Sequence, residues 1–260
     1  MKADVRLWIF VLSVAALLVA AALLPPLAEP RAFRSLVDQR AFFGIPNFLD
    51  VASNLPFLLV GAWGLYFLAR DARLPRAFSD PAERWPYAAC FLSVALTAPG
   101  STYYHLAPDD ARLMWDRLPI SLGFMALVSA VLAERISLKA GLRLLVPLML
   151  AGAGSVLYWR WSLLRGAEDI LPYAAVQYGA MVAVLLAVLL FPARYTRGAD
   201  LIVALAIYAL AKVAEVLDRQ IYALGEMVSG HTLKHVLAAL AVGWLVRMLY
   251  LRKPISGAYR

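Results

Sequence analysis

The sequence predicts an all-α polytopic membrane protein, and three observations lead to that fold class. First, 63% of the 260 residues are hydrophobic and 16% are charged, whereas soluble domains are typically about 45–50% apolar and about 25% charged. Second, apolar runs of about 20 residues recur along the chain, and a helix needs about that length to cross a bilayer. Third, these runs are continuous rather than alternating, which favours helices over the strands of a barrel.

Eight spans are predicted, as a seven-helix core preceded by one additional N-terminal transmembrane helix. They cover residues 5–26, 49–69, 86–106, 115–133, 142–160, 172–192, 199–217 and 231–251. The first contains "LWIFVLSVAALLVAAALL", which exceeds the roughly 7–15 residues of a signal-peptide core, and "PPLAEP" after it lacks a convincing cleavage site. We therefore expect an uncleaved helix there.

Two of the later spans carry features that indicate how they pack. The fifth contains the small-residue run "AGAGS", which indicates close helix packing, and "YWRW", which is typical of an aromatic belt at the membrane interface. The seventh contains Lys212 and Glu215 three residues apart. We expect these two side chains to pair across one helical turn.

The distribution of Lys and Arg predicts that both termini are cytoplasmic, since these residues stay preferentially on that side. The inner segments then carry Lys2, Arg6, Arg70, Arg73, Arg76, Arg84, Arg135, Lys139, Arg143, Arg194, Arg197, Arg252, Lys253 and Arg260, and the outer segments carry Arg31, Arg34, Arg40, Arg112, Arg165 and Arg219. This asymmetry accounts for the net charge of +8, so we predict no nucleic-acid partner. The usage of alanine, leucine and arginine favours a bacterial inner membrane.

The three histidines of the chain fall at one predicted membrane depth. His105 ends the third span, while His231 and His235 begin the eighth, and all three then lie near the outer face. Residues four apart on a helix share a face, so His231 and His235 can bind one metal ion. Catalytic zinc sites typically use three protein ligands and leave a fourth position to water. These observations predict a zinc site formed by the three histidines.

Ser101 and Asp116 are predicted at the same depth. Ser101 precedes His105 by four residues, and Asp116 begins the fourth span. Ionisable residues in membrane spans are costly and point to function. A carboxylate beside bound water can take a proton and pass it to a leaving amine, while a hydroxyl can stabilise an oxyanion. We therefore predict Asp116 and Ser101 as catalytic residues.

Structural explanations exist for each of these residues. Histidines at a membrane interface bind lipid headgroups or cap helices, and two histidines on facing helices can also bind haem axially. Asp116 can cap its helix, and Ser101 can fill a small-residue packing position. The convergence of all five residues at one depth favours a metal site over these separate explanations.

Taken together, Ser101-x3-His105, Asp116 eleven residues later and His231-x3-His235 resemble the alkaline ceramidases. This family belongs to a superfamily of seven-helix membrane hydrolases that includes the adiponectin receptors and Per1-type lipid remodelling proteins. "WDRLPI" resembles the family's aspartate–acidic–Leu–Pro–Met stretch, "HTLKHVLAAL" resembles its His-x-x-x-His-Val-Leu ending, and "DVASNLPF" resembles its Ser-Asn pair. The resemblance covers residues 40–252 as the hydrolase domain and leaves residues 1–30 as the additional helix.

The resemblance implies a zinc-dependent hydrolase that acts on a membrane lipid. His105, His231 and His235 would bind zinc, while Asp116 and Ser101 would assist attack on the amide carbonyl of a ceramide-like substrate. The products would be a sphingoid base and a fatty acid. Two alternatives stay open: a lipid receptor or binding protein with a structural zinc site, and an ester-cleaving lipid remodelling hydrolase.

The sequence departs from the family in two places. The family's acidic calcium-binding segment is replaced by "RAFFGIPNFLD", in which only Asn47 and Asp50 are plausible oxygen ligands. So few carboxylates bind calcium weakly, and the sequence therefore does not predict calcium regulation. Lys234 lies between the two histidines of the last span, and we expect it to point away from the metal toward the headgroups.

Overall fold

The computed structural model describes residues 3–30, 34–70 and 77–255, and it confirms an all-α polytopic membrane protein. The α-helices of these segments are α1 (Ala3–Leu23), α2 (Phe48–Ala52), α3 (Leu55–Arg70), α4 (Arg84–Leu106), α5 (Asp110–Arg135), α6 (Leu138–Leu164), α7 (Leu171–Leu190), α8 (Asp200–Val216), α9 (Asp218–Ala223) and α10 (Gly230–Leu251). No β-strand occurs within these segments. Lys2, Arg31, Arg73, Arg76 and Arg260, which contributed to the predicted topology, lie outside the described residues.

Each of the eight predicted spans is helical over most of its length. Among the described residues, six helical segments are long and apolar enough to cross a membrane: α1, α2 with α3, α5, α6, α7 and α10. The helix α8 has 17 residues, and α4 ends in the polar stretch "STYYHL". Both pack among the six, with α4 against α3 and α5, and α8 against α10.

Glycines permit the close helix crossings in the bundle. A Cβ atom on Gly61 of α3 would lie 2.6 Å from the backbone nitrogen of Ala95 in α4. A Cβ atom on Gly141 of α6 would lie 2.4 Å from that of Ala133 in α5. Helix backbones can approach so closely only where the side chain is absent, which is common between membrane helices.

The additional helix α1 lies at the side of the bundle. It packs against α7, and the ring of Phe10 contacts that of Phe191 with centroids 6.0 Å apart. Its other side chains are largely exposed, with Trp8 at 64% and Leu12 at 61%. Large exposed apolar side chains on this helix are what contact with lipid requires.

The chain after α1 returns across the end of the bundle at which α4 ends and α5 and α10 begin. The backbone N–H of Ile170 donates to the carbonyl of Leu27 over 2.8 Å, and the Tyr104 hydroxyl donates to the carbonyl of Arg34 over 3.3 Å. These bonds hold the segment around Glu29 over the interior of the bundle.

A buried ion pair fixes the opposite end of the bundle. Arg252 donates to the Glu134 carboxylate over 2.6 Å, and Tyr87 donates to the same oxygen over 3.0 Å. Nearby, in a 3-10 turn before α4, Glu83 accepts a hydrogen bond from Tyr195 over 2.6 Å. Burial raises the pKa of the Glu83 carboxyl, and the Tyr195 hydrogen bond opposes that rise.

Candidate metal centre

Helix ends bring the predicted site residues together. Ser229 caps α10 and accepts a hydrogen bond from the backbone N–H of Thr232 over 3.0 Å, which places His231 and His235 in the first two turns. His105 lies in the last turn of α4. Because α4 runs toward this end of the bundle and α10 runs away from it, all three histidines lie at one level.

The three imidazoles form a compact group. One ligand nitrogen from each of His105, His231 and His235 lies within 4.8 Å of the other two, and the Nε2 atoms of His105 and His231 are 3.2 Å apart. The ring centroids are 4.8–5.1 Å apart. His105 is 0% exposed and His235 is 4% exposed. The predicted co-location of the three histidines is confirmed, and the group can hold a metal ion.

The hydroxyl of Ser53 determines which nitrogen of His235 is free to bind a metal. Ser53 Oγ donates its single proton to the carbonyl of Asp50 over 3.1 Å. With that proton engaged, the hydroxyl oxygen accepts a hydrogen bond from the N–H at Nδ1 of His235, which lies 2.8 Å away. Because a neutral imidazole carries one N–H, Nε2 of His235 keeps its lone pair. A hydrogen bond of this kind orients a metal-binding histidine.

The other two histidines are held through their backbones. Asn47 donates from Nδ2 to the carbonyl of His105 over 2.7 Å. The backbone N–H of His231 donates to Asp218 over 2.8 Å. Burial raises the pKa of the Asp218 carboxyl, and the hydrogen bond from His231 opposes that rise.

Asp50 joins the short helix α2 to the start of α10. Its Oδ1 accepts hydrogen bonds from Thr232 over 2.6 Å and from Ser229 over 3.2 Å, and the residue is fully buried. Asn47 and Asp50, considered in the sequence as oxygen ligands for calcium, thus bond to the segments that carry the histidines.

Asp116 and Ser101 lie beside the three histidines. Asp109, not Asp116, caps α5, accepting a hydrogen bond from the backbone of Arg112 over 2.8 Å. The capping explanation of Asp116 is therefore wrong, because the helix begins six residues earlier. Ser101 is 1% exposed, and its hydroxyl has no hydrogen-bond partner within 3.5 Å among the described residues. Ser101 and Asp116 line the same cavity as His231 and His235.

The prediction that Lys234 points away from the site is wrong. Its Nζ lies 3.1 Å from Nε2 of His231 and 2.9 Å from Oε1 of Glu215. Residues three apart share a helix face, so Lys234 follows His231 inward, and the Glu215 carboxylate on α8 balances its charge. The predicted pair of Lys212 and Glu215 is confirmed, and it completes a Lys–Glu–Lys group in the wall of the site.

A cavity of about 440 Å³ connects these residues to the interior of the bundle. Ser101, Asp116, His231 and His235 line one end of it. The other end is apolar, with Leu127, Val184, Leu201, Val242 and Leu245 among its lining residues. His231 and Leu245 are fourteen residues apart on α10, which corresponds to roughly 21 Å at 1.5 Å per residue.

Comparison with protein-family models found no match, and comparison with curated proteins found no similar sequence. The resemblance to the alkaline ceramidases therefore depends on the motifs in this sequence.

All five residues predicted from the sequence are found in one region, but several of their partners were not predicted. Ser53 was given no role, although it belongs to the Ser-Asn pair of "DVASNLPF" that contributes to the resemblance. Glu29 and Arg117, which also line the cavity, carried no such signal. Their proximity depends on the fold of the segment after α1.

Proposed function

We propose that the protein is a zinc-dependent intramembrane amidase that hydrolyses ceramide-like lipids to a sphingoid base and a fatty acid. One observation carries this proposal: three histidines can hold one metal ion, and two of them line the polar end of a deep apolar cavity together with a carboxylate and a hydroxyl. We place the protein in a bacterial inner membrane, with the site near the periplasmic face and both termini in the cytoplasm.

The donor set fits zinc. Two nitrogens bound to a tetrahedral zinc at about 2.05 Å lie roughly 3.3 Å apart, and the Nε2 atoms of His105 and His231 are 3.2 Å apart. Neutral imidazole is a common zinc ligand. The ammonium group of Lys234 also contacts Nε2 of His231. Because it contacts the Glu215 carboxylate as well, it keeps a partner when a metal ion takes that nitrogen.

The cavity supports a lipid substrate. The cavity as a whole follows α10 for roughly 21 Å, which is more than half of the roughly 30 Å hydrocarbon core of a bilayer. Apolar side chains from α5, α7, α8 and α10 line it. A long acyl chain fits this shape, and its polar end would lie beside the histidines.

The catalytic roles follow from the positions of the polar groups. Zinc bound to the histidines would lower the pKa of water in the site to about 7. Asp116 accepts the proton of the attacking water and later delivers it to the leaving amine nitrogen. Ser101 donates a hydrogen bond to the carbonyl oxygen as negative charge develops there. The C–N bond breaks, and water supplies the hydroxyl of the fatty acid and the proton of the amine.

The test is hydrolysis by the purified protein in detergent, with a panel of ceramides and matched ester lipids. We expect release of fatty acid and sphingoid base by the wild type, with loss of activity by about 10²–10⁴-fold in Asp116→Asn. Asp116→Asn should keep its zinc. Asp4→Asn, at an exposed position on α1, is the matched control and should keep full activity.

Three results would contradict the proposal or one of its parts. Normal turnover by Asp116→Asn would remove Asp116 from the mechanism. Cleavage of the esters without cleavage of the amides would replace the amidase with an ester-cleaving lipid hydrolase that uses the same site. Zinc binding without any hydrolysis would favour a lipid-binding protein with a structural zinc site.

A further inference from the structure

The guanidinium of Arg117 lies in the wall of the cavity, at its polar end. Arg117 follows Asp116 in α5, is 5% exposed and lines the cavity. Its guanidinium carbon lies 4.2 Å from the centroid of the Trp159 ring and 5.1 Å from that of Tyr173. Packed between these rings, the side chain is held in one position.

The charge of Arg117 is balanced by Glu29 from the segment after α1. Nη2 of Arg117 donates to Oε1 of Glu29 over 2.6 Å, and Nε of Arg34 donates to the other carboxylate oxygen over 3.0 Å. Glu29 lines the same cavity. An Arg–Glu pair thus lies at the polar end of the cavity, beside Asp116.

One nitrogen of this pair remains available. Nη1 of Arg117 is buried and has no hydrogen-bond partner among residues 3–30, 34–70 and 77–255. A buried N–H without an acceptor is destabilising and uncommon in folded proteins. Because the side chain lines a cavity, an oxygen atom of a ligand in that cavity can accept from it.

The surrounding charges define the class of ligand. Glu29 is shared by Arg117 and Arg34, and Arg34 pairs with two further carboxylates, so in this group three carboxylates outnumber two guanidinium groups, with Asp116 adjacent in the chain. A phosphate group placed here would add negative charge to a group that already carries an excess of it, and would be repelled. An uncharged hydroxyl group avoids this repulsion, because it can accept from Arg117 and donate to Glu29.

We propose that Arg117 and Glu29 form a headgroup subsite that selects lipids with an uncharged, hydroxyl-bearing headgroup. This inference rests on the proposed function and adds the headgroup preference of the same cavity. In a ceramide, the 1-hydroxyl is attached to the carbon next to the one that bears the amide nitrogen. A ceramide whose amide lies beside Asp116 therefore brings its 1-hydroxyl close to Arg117, the next residue of the chain.

The test compares the binding of three short-chain fluorescent lipids to the purified full chain in detergent: ceramide, 1-deoxyceramide and ceramide 1-phosphate. A hydrogen bond to a charged donor changes affinity by about tenfold or more. We expect the wild type to bind ceramide about tenfold more tightly than either of the other two. Arg117→Lys keeps the charge opposite Glu29 but lacks the second donor nitrogen. In this variant, the ratio of the affinity for ceramide to the affinity for 1-deoxyceramide should fall close to one.

Two further variants keep the test decisive. Arg112→Lys makes the same change at a partly exposed position five residues earlier in α5 and should keep the wild-type ratio. Glu29→Gln removes the compensating charge and should improve the binding of ceramide 1-phosphate relative to ceramide. Elution volume and melting temperature report whether each variant is folded.

An equal affinity of the wild type for ceramide and 1-deoxyceramide would overturn the subsite, as would an unchanged ratio in Arg117→Lys. In either case, hydrolysis of ceramide would leave the proposed function intact. Tighter binding of ceramide 1-phosphate by the wild type would overturn the uncharged class of ligand. Failure to bind or hydrolyse any of the lipids would overturn the proposed function, and the subsite with it.

Discussion

Replacing Ser53 with alanine should weaken zinc binding without touching a metal ligand. The Ser53 hydroxyl lies 2.8 Å from Nδ1 of His235 and donates its own proton to the carbonyl of Asp50. In the variant, the N–H of His235 loses its acceptor, and the ring loses the contact that orients it. Loss of such a partner typically reduces metal affinity by about 10–100-fold. This corresponds to roughly 1.4–2.8 kcal/mol at 1.4 kcal/mol per factor of ten.

The assay is competition for zinc between the protein and a chromophoric chelator. Ser93→Ala is the matched control, because Ser93 is also buried and bonds to the backbone carbonyl of Ala89 in its own helix. We expect wild-type zinc affinity in Ser93→Ala. Equal affinities for the wild type and Ser53→Ala would refute the assignment of Nε2 of His235 as the metal-binding nitrogen.

Three further variants separate catalysis, metal binding and stability. Ser101→Ala should keep its zinc and lower the rate of hydrolysis by up to about 10²-fold, and an unchanged rate would reassign this hydroxyl to packing. Lys234→Gln removes a positive charge beside the metal ligands and should raise zinc affinity in the chelator assay; a lower affinity would contradict this electrostatic argument. Glu134→Gln leaves Arg252 buried without its ionic partner and should lower the free energy of unfolding by about 3–5 kcal/mol, measured as a fall in melting temperature at unchanged zinc content. An unchanged melting temperature would show that this pair does not hold the bundle together.

The helices and the common level of the three histidines could both be predicted from the apolar runs of the sequence. Apolar runs of membrane length fix where a helix can lie, and the alternation of direction fixes which helix ends share a level. His105 and His231 are 126 residues apart in the chain, yet one ends a helix that runs toward one end of the bundle and the other begins a helix that runs away from the same end. Their common level therefore followed from the alternation of helix direction, whereas the contact between their rings depends on packing.

The direction of single side chains could not be predicted in this way. Lys234 was expected to point to the headgroups because a charged side chain in a membrane normally seeks water. It turns inward because Glu215 on α8 provides a carboxylate there, and the sequence does not reveal which faces of α8 and α10 meet. The same holds for Arg117 and Glu29, whose pairing depends on how the segment after α1 crosses the bundle.

The boundaries of α5 show a related effect. The apolar pattern placed the start of this span at residue 115, which made Asp116 resemble a helix cap. The helix begins at Asp110 because Asp109 bonds to the backbone of Arg112. Polar first turns lie outside the apolar run, so hydropathy finds the part of the helix in the membrane and misses its start.

The measurement that tests the central claim most directly is the metal content of the purified protein by mass spectrometry. Wild type, His105→Ala, His231→Ala and His235→Ala should be compared after identical purification, with the elution volume as a check on folding. The account predicts about one zinc per chain in the wild type and loss of zinc in all three variants. Folded wild-type protein that binds no zinc, even after zinc is added, would contradict it, as would zinc retained in all three variants.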